Sequence, residues 1–415
     1  MINLSEIYDV TLKRGNREAA KGGFVRPTVG ENFMTHRDFE HVVKPFEPIF
    51  LTKILAPDGA TSDLFGVSVA TSDTKIVVGA YHDDNAGGSD AGSAYIFNTD
   101  GSYVTKITAP DGAATDYFGY SVAISDTRIV VGAPSDDNAT GTASGAIYIF
   151  NTDGTYITKI IAPSNAKGSD FGCSVALSNT KIVVGAYNLT NQTGAAYIFN
   201  MDGSYVAMIL APDRTTSDYF GYSVAISDTR VVVGAYSKSI SDYSGIDVGA
   251  AYIFNTDGTY VTKIMAPNAV PSGFFGRSVA VSDTKVFVGA NGDVNAGGIR
   301  TGSVYIFTTD GAYVTKIIAP DGAVSDSFGY SVAISDTKIV VGAHLDDNTG
   351  VINAGSAYIF STDGAYITKI IAPDGAANDY FGYSVVISDT KIVVGAYLDD
   401  ATGKADAGSA YIYDI

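Results

Sequence analysis

The sequence predicts an all-β protein, a seven-bladed β-propeller of four-stranded antiparallel blades, and three observations support this fold class. One segment recurs seven times between about residue 50 and residue 415, with Phe-Gly pairs spaced 49 to 55 residues apart. Each copy contains four short runs with the alternation or β-branched composition of strands, and none has helical periodicity. Four strands in a repeat of this length form a propeller blade, whereas the coil of a β-helix is shorter.

The second copy shows the four strands in order. Residues 118–124 alternate large and small side chains, which predicts a strand buried on both faces. Residues 128–133 are rich in β-branched side chains, and residues 145–150 have the composition of a third strand. Asp153-Gly154 predicts a hairpin with a tight primed turn, because this pair tolerates positive φ. Residues 155–161 then form the fourth strand.

The two ends of the repeat region predict closure of the ring. The last copy stops at Ile415, where its fourth strand should begin. A matching strand is present at the other end, in residues 50–55, which begin with Phe50 and end with Leu55. We expect this strand to pair as the outer strand of the last blade, because a closed ring leaves few strand edges free to aggregate.

Composition excludes several classes of protein. The formal net charge is −18, and it arises in the repeat region, because residues 1–50 are formally neutral. Such a surface repels nucleic acid and anionic lipid. Cys173 is the only cysteine, so no intrachain disulfide forms. No apolar run approaches the roughly 20 residues of a membrane span, and the N-terminal residues lack the pattern of a signal peptide, so export by that route is not expected.

The repeat resembles the FG-GAP repeats of integrin-α-type propellers, and it is more similar still to their bacterial and phage versions. The resemblance rests on seven Phe-Gly pairs, seven Val-Gly-Ala strands and seven Tyr-Ile-Phe or Tyr-Ile-Tyr strands, and it covers residues 50–415. It implies a binding or structural platform on a cell or particle surface. Many integrin-type repeats also carry an Asp-rich calcium loop, but the equivalent turn here, such as Ser72-Asp73-Thr74, supplies too few oxygen ligands.

Acidic loops follow Val-Gly-Ala in four copies and are candidate sites for divalent cations such as Ca²⁺, although no cofactor is predicted to be required. Carboxylate oxygens are hard ligands, while the alternative is a solvated loop that is polar because it is exposed. The candidate metal ligands are Asp83, Asp84, Asp136, Asp137, Asp346, Asp347, Asp399 and Asp400.

A second set of aspartates precedes the Phe-Gly pair in six copies, and the interpretation we favour is capping of backbone N–H groups in turns. These residues are Asp63, Asp116, Asp170, Asp218, Asp326 and Asp379.

The position after Phe-Gly is charged only at Arg277. If this strand lines the central channel, Arg277 either holds an anion or reaches solvent or an acidic partner. Cys173, in the same position of another copy, reads as a small buried hydrophobe.

No catalytic pattern is present, so the protein is predicted not to be an enzyme. Only four histidines occur, and no nucleophile elbow, zinc spacing or phosphate loop accompanies them. Sugar binding by exposed tyrosines is an alternative, whereas Tyr95 and Tyr148 occupy a fixed strand position that favours the core. The loops at both ends of the blades are polar, so the sequence does not indicate which face binds a partner.

Residues 1–49 share nothing with the repeat and are predicted to form an anchoring arm, mostly irregular, with short helices at residues 16–21 and 35–43. We expect the arm to dock on other structural proteins of a large assembly, with packing against its own propeller as the alternative. The candidate docking residues are Arg14, Arg17, Phe24, Phe33 and Phe39.

These features together predict a non-enzymatic structural or interaction protein. The leading hypothesis is a phage virion component, a tail, fibre or capsid-surface protein that displays the propeller and contributes to host attachment. The alternative is a bacterial surface or secreted adhesion module that binds protein or glycan, with divalent cations in its loops. The expected location is the virion, or otherwise the cell surface or extracellular space. Neither nucleic acid nor membrane insertion is expected.

Overall fold

The computed structural model describes residues 46–163, 168–239, 247–348 and 350–415, which form seven four-stranded antiparallel sheets arranged as a propeller. The fold class predicted from the repeat is therefore confirmed. The short helices and docking residues predicted between residues 1 and 45 lie outside the described residues. Among the described residues, no helix has the length and apolar character to cross a membrane.

The strands of the first four blades follow one another from the channel outward. Blade 1 comprises β2 (Ser68–Thr71), β3 (Lys75–Ala80), β4 (Ser93–Asn98) and β5 (Tyr103–Ile107). Blade 2 comprises β6 (Ser121–Ile124), β7 (Arg128–Ala133), β8 (Ala146–Asn151) and β9 (Tyr156–Ile161). Blade 3 comprises β10 (Val175–Leu177), β11 (Lys181–Ala186), β12 (Ala195–Asn200) and β13 (Tyr205–Ile209). Blade 4 comprises β14 (Ser223–Ile226), β15 (Arg230–Ala235), β16 (Ala250–Asn255) and β17 (Tyr260–Ile264).

The remaining three blades repeat this order. Blade 5 comprises β18 (Phe275–Val281), β19 (Lys285–Ala290), β20 (Ser303–Thr308) and β21 (Tyr313–Ile317). Blade 6 comprises β22 (Ser331–Ile334), β23 (Lys338–Ala343), β24 (Ser356–Ser361) and β25 (Tyr366–Ile370). Blade 7 comprises β26 (Ser384–Ile387), β27 (Lys391–Ala396), β28 (Ser409–Asp414) and β1 (Ile49–Ile54). Two single helical turns, Leu189–Gln192 and Ala401–Gly403, lie in loops.

The ring closes as the sequence predicts. Strand β1 pairs antiparallel with β28, so the first strand in the chain completes the last blade. A parallel bridge between Phe65 and Gly408 joins blade 1 to blade 7, as Gly145 and Phe171 join blades 2 and 3. The closing junction is thus built like an internal one.

Two local predictions were wrong in detail. In blade 2 the strand begins at Ser121, because Phe118-Gly119 forms a turn in which Tyr117 and Gly119 have φ of 60° and 96°. The inner strand is only half-buried, since it lines the channel. At the hairpin, only Gly154 of the Asp-Gly pair has positive φ, and the register shifts between Ile149 and Phe150. This is a longer turn with a bulge rather than a two-residue primed turn.

The phenylalanine of each Phe-Gly pair packs between neighbouring blades. Phe65 is fully buried and contacts Tyr95 and Phe97 of its own blade at ring-centroid distances of 5.4 and 6.0 Å. The same cluster includes Val393 and Ile412 of blade 7. Each blade therefore completes the hydrophobic core of the blade before it. Burial of this aromatic area stabilises the contacts between neighbouring blades.

A hydrogen bond crosses every junction between inner strands. The Ser68 hydroxyl of blade 1 donates to the carbonyl of Gly119 in blade 2 over 2.8 Å. The six equivalent bonds are Ser121 to Gly172, Ser174 to Gly221, Ser223 to Gly276, Ser278 to Gly329, Ser331 to Gly382 and Ser384 to Gly66. The last of these closes the circle across the chain ends.

Removal of β1 should destabilise the ring. A chain truncated to residues 56–415 leaves β28 unpaired at a sheet edge and exposes the core contact of Ile54, which is 4% exposed. We expect lower thermal stability and self-association compared with residues 46–415, measured by thermal unfolding and size-exclusion chromatography. Equal stability and a monomeric truncated chain would contradict strand-mediated closure.

Candidate functional site

The chain topology divides the propeller into two faces. The connections between second and third strands and those between consecutive blades emerge on one face, here called the loop face. The turns between first and second strands and the hairpins between third and fourth strands emerge on the opposite face, here called the turn face. Residues that follow Phe-Gly therefore border the channel at the loop face.

Aromatic side chains concentrate at the loop face around the channel. Tyr81 contacts Tyr117 and Tyr120 at 5.4 and 5.2 Å between ring centroids, and Tyr219 stacks on Tyr236 at 5.4 Å. All members of this aromatic mouth are partly exposed: Tyr81, Tyr117, Tyr120, Tyr187, Tyr219, Tyr222, Tyr236, Phe274, Tyr330, Tyr380, Tyr383 and Tyr397. The sequence alone does not reveal this set, because its members come from three separate positions of the repeat.

A cavity of about 140 Å³ lies in the channel at the centre of the aromatic mouth. Its wall is Val67, Tyr120, Cys173, Tyr187, Tyr222, Arg277, Tyr330 and Tyr383. All but Tyr187 directly follow a Phe-Gly pair, so the position that holds Arg277 lines the channel. Cys173 is a buried free thiol, also as predicted.

Arg277 has aromatic and phenolic partners in this cavity. Its guanidinium carbon lies over the rings of Tyr222 and Tyr330, 4.4 and 4.5 Å from their centroids. One N–H donates to the Tyr330 hydroxyl over 2.6 Å. Among the described residues no acidic partner pairs with it, so the predicted alternative of an ion pair is not what the structure shows. Cation–π contacts stabilise the charge instead.

His344 lies behind this wall in a neutral state. Its ring is 4.1 Å from that of Tyr330 between centroids, and it is 7% exposed. Burial, and then the positive charge of Arg277, lower the pKa of His344 to about 3. The histidine therefore adds no charge to the cavity at neutral pH.

The turn face has a wider mouth of different chemistry. Its opening of about 470 Å³ is lined by the seven Ser-Asp or Ser-Asn turns between first and second strands. The acidic members are Asp73, Asp126, Asp228, Asp283, Asp336 and Asp389. The two mouths of the channel thus differ, one aromatic with a single cation and the other acidic.

The first aspartate of each acidic loop is a buried structural residue. Asp83 is 3% exposed, and it accepts hydrogen bonds from Ser93 Oγ over 2.6 Å and from Tyr95 Oη over 3.0 Å. Lys106 Nζ lies 2.9 Å from Asp83 and 2.7 Å from Asp58. Asp136, Asp346 and Asp399 are placed in the same way. The interpretation of these residues as solvated is therefore wrong.

The ionisation of this network follows from its contacts. Burial raises the pKa of Asp58, but hydrogen bonds from Lys106 and Tyr95 more than offset this and leave it below its usual value. Burial lowers the pKa of Lys106, and the bonds to Asp58 and Asp83 raise it above its usual value. The lysine is therefore charged, and it neutralises the buried carboxylate.

Two blades alter this network in a charge-compensated way. In blade 3, Leu189 replaces the buried aspartate and Met208 replaces the lysine opposite the tyrosine. In blade 4, Lys238 occupies the aspartate position and pairs with Asp218 at 2.8 Å. Neither change leaves a charge buried alone, which indicates that the network serves stability in each blade.

The second aspartate of each acidic loop closes the loop on itself. Asp84 Oδ1 accepts the backbone N–H of Asp90 over 2.8 Å. Asp137, Asp347 and Asp400 accept equivalent bonds from Ala143, Asn353 and Asp406. The described residues contain no group of three acidic, histidine or cysteine side chains arranged to hold a metal. The calcium interpretation of these loops stays a prediction.

Among the described residues, five of the six aspartates before Phe-Gly cap turns, as the sequence predicts, and the sixth, Asp170, has Tyr187 and Asn188 as side-chain partners. Asp116 Oδ2 accepts the backbone N–H of Ala113 over 2.7 Å, and Asp63, Asp218, Asp326 and Asp379 make the same bond. Burial, and then the neighbouring charge of Asp136, raise the pKa of Asp116 to about 6, although the bond from Ala113 lowers it.

Tyrosines of the repeat occupy two further environments. Tyr95, Tyr148 and their equivalents are core residues, as predicted. The first residue of each outer strand instead forms an exposed rim near the turn face. The six rim tyrosines are 42 to 51% exposed: Tyr103, Tyr156, Tyr205, Tyr260, Tyr313 and Tyr366.

Comparison with known families finds the same repeat. The sequence profile of the FG-GAP repeat matches residues 50–97, 102–150, 155–199, 204–254, 259–307, 313–360 and 366–413. Together these segments cover most of the chain. No curated protein matches the sequence significantly.

The Lys106 network predicts strong coupling between two substitutions. Lys106→Met alone leaves Asp83 buried without its cation, and we expect a loss of about 2–3 kcal/mol in the free energy of unfolding. Adding Asp83→Leu reproduces the pair found in blade 3 and should recover most of this loss. Urea unfolding of the two single variants and the double variant measures the coupling. Simple additivity of the two single effects would contradict the role assigned to the pair.

The raised pKa of Asp116 predicts a pH dependence. Since the pKa of about 6 in the folded chain exceeds that of the unfolded chain, the folded state binds this proton more tightly. Its contribution is fully present below about pH 4 and is lost as pH rises to about 6. Asp116→Asn keeps the oxygen acceptor and removes the charge, so it should raise the free energy of unfolding at pH 7 by about 1–2 kcal/mol and leave it unchanged at pH 4. Urea unfolding at both pH values checks this, and an equal effect at both would contradict it.

Proposed function

This chain belongs to the FG-GAP repeat family, and from that premise we propose that it is a non-enzymatic interaction module that binds a partner on its loop face. The observation that carries the proposal is the aromatic mouth. Tyrosine and phenylalanine combine large contact area with few rotatable bonds, and aromatic side chains dominate the binding energy of many interfaces. The turn-face mouth is lined by Ser, Asp and Asn turns instead.

The packing of the aromatic mouth supports a binding role. Tyr219 and Tyr236 stack nearly parallel, with an angle of 10° between the rings, and Tyr222 lies 4.6 Å from Tyr236 between centroids. Side chains fixed by such contacts lose little conformational entropy when a partner arrives. FG-GAP propellers are generally non-enzymatic, and the buried carboxylates of the loops are occupied by structural bonds.

For the setting of this module we propose a phage virion, in which residues 1–49 dock the chain onto other structural proteins and the loop face contacts a host receptor or glycan. The resemblance of the repeat to bacterial and phage versions supports this proposal. The absence of the repeat from residues 1–49 supports a separate anchoring role for them.

The virion assignment is tested by mass spectrometry of density-banded particles from the native source, with particle-free supernatant as the control. We expect the chain at fixed stoichiometry to a capsid or tail protein. Recovery only with cells or free supernatant would contradict the assignment. Deletion of residues 1–48 should leave a folded propeller that no longer assembles, and unfolding of the propeller by this deletion would contradict the docking role.

A bacterial surface or secreted adhesion module is the second candidate, and the aromatic mouth favours it because tyrosine rings stack on sugars and on protein side chains. The test compares the triple variant Tyr117→Ala, Tyr219→Ala, Tyr380→Ala with a rim control in which Tyr103, Tyr260 and Tyr366 are changed to Ala. Binding of labelled full chain to intact bacterial cells and immobilised oligosaccharides should fall only in the loop-face variant. Loss in the rim variant alone would contradict the choice of face.

A further inference from the structure

We propose that the cavity at the centre of the aromatic mouth is a binding site for a small organic monocarboxylate, held by the guanidinium of Arg277. The proposal concerns the interior of the channel. It stands whether the propeller belongs to a virion, to a cell surface or to neither.

The cavity contains one charged side chain. Arg277 is the only ionic side chain among the eight wall residues, and the other blades place Val, Tyr or Cys in the same position. The whole chain has a net charge of −18, yet no carboxylate of the described residues pairs with Arg277. By contrast, the buried Lys238, which is 3% exposed, pairs with Asp218 at 2.8 Å. A partly buried cation with aromatic neighbours only is suited to an anionic ligand.

Arg277 has hydrogen-bond donors to spare for a ligand. A guanidinium has five N–H groups in a planar fork, and the Tyr330 hydroxyl accepts one of them. The guanidinium carbon lies over the rings of Tyr222 and Tyr330, and no other described residue accepts a hydrogen bond from its remaining N–H groups. A guanidinium with N–H groups left unpaired binds a carboxylate through two parallel hydrogen bonds when the two groups meet edge to edge.

The size and polarity of the cavity limit the kind of anion that fits. Its 140 Å³ hold roughly four or five water molecules, so a ligand is limited to one carboxylate on a small body. The walls of Val67 and the tyrosine rings favour an apolar or aromatic body. Phosphate and sulfate carry more charge than a single arginine neutralises, and they lose more hydration on entry.

The experiment uses sodium benzoate as the probe and the full chain as the protein, with isothermal titration calorimetry as the readout. Benzamide has nearly the same shape without the charge, and sodium phosphate supplies the competing anion. Tyrosine fluorescence gives a second readout, because the chain has 27 tyrosines and no tryptophan. The key variant is Arg277→Gln. Its control is Lys338→Gln, which removes the same charge at a lysine that lies over Phe46, outside the cavity wall.

We expect benzoate to bind the native chain and the Lys338→Gln variant with one site. Affinity should fall about tenfold or more for benzamide, and also for Arg277→Gln. Val67→Phe keeps the charge of Arg277 but fills the cavity, so it should also abolish benzoate binding. This variant tests the site if Arg277→Gln does not fold. Three results would overturn the proposal: no benzoate binding by the native chain, equal binding by a folded Arg277→Gln or Val67→Phe variant, or tighter binding of phosphate than of benzoate.

Discussion

The close contact between the innermost strands of neighbouring blades is the constraint on which the rest of this structure depends. At each junction a serine hydroxyl donates to the carbonyl of the next Phe-Gly glycine, and the Val-Gly-Ala glycine lies against that carbonyl. A side chain at Gly132 would overlap both the Gly172 carbonyl and the Ser121 hydroxyl. Since the contact recurs at all seven junctions, it sets the radius at which the ring closes and the width of the channel.

The same constraint explains why a single residue can change the chemistry of the channel. Each Phe-Gly turn is fixed by its junction, so the following residue must border the axis at the loop face. Six blades place an uncharged side chain there, and blade 5 places Arg277 among the tyrosines of the other blades. Buried charges in the loops behave differently, because each must be matched by a nearby partner, as Lys238 and Asp218 show in blade 4. Contacts of this kind thus stabilise each blade separately, whereas residues from all seven blades together line the channel.

The repeat allowed the fold to be predicted from the sequence, while much of the site could not be. Blade number, strand order and closure by residues 50–55 follow from the period, because each copy must bury its faces against the next. The Phe118-Gly119 turn looked like a strand, since positive φ at Tyr117 leaves no local signal. The burial of Asp83 depends on Lys106, which lies two strands further along the chain. The aromatic mouth joins positions such as Tyr81 and Tyr117 that only the folded ring brings together.

The measurement that tests this account most directly is the equilibrium unfolding of Gly132→Ala in urea, with Gly297→Ala as the control. Gly297 has an ordinary φ, and a side chain there would meet only the Asn295 amide oxygen, at 3.3 Å. The account predicts that Gly132→Ala lowers the free energy of unfolding by about 3 kcal/mol or more, while the control changes it by less than about 1 kcal/mol. Equal stability of the two variants would show that the junction contact does not govern the ring.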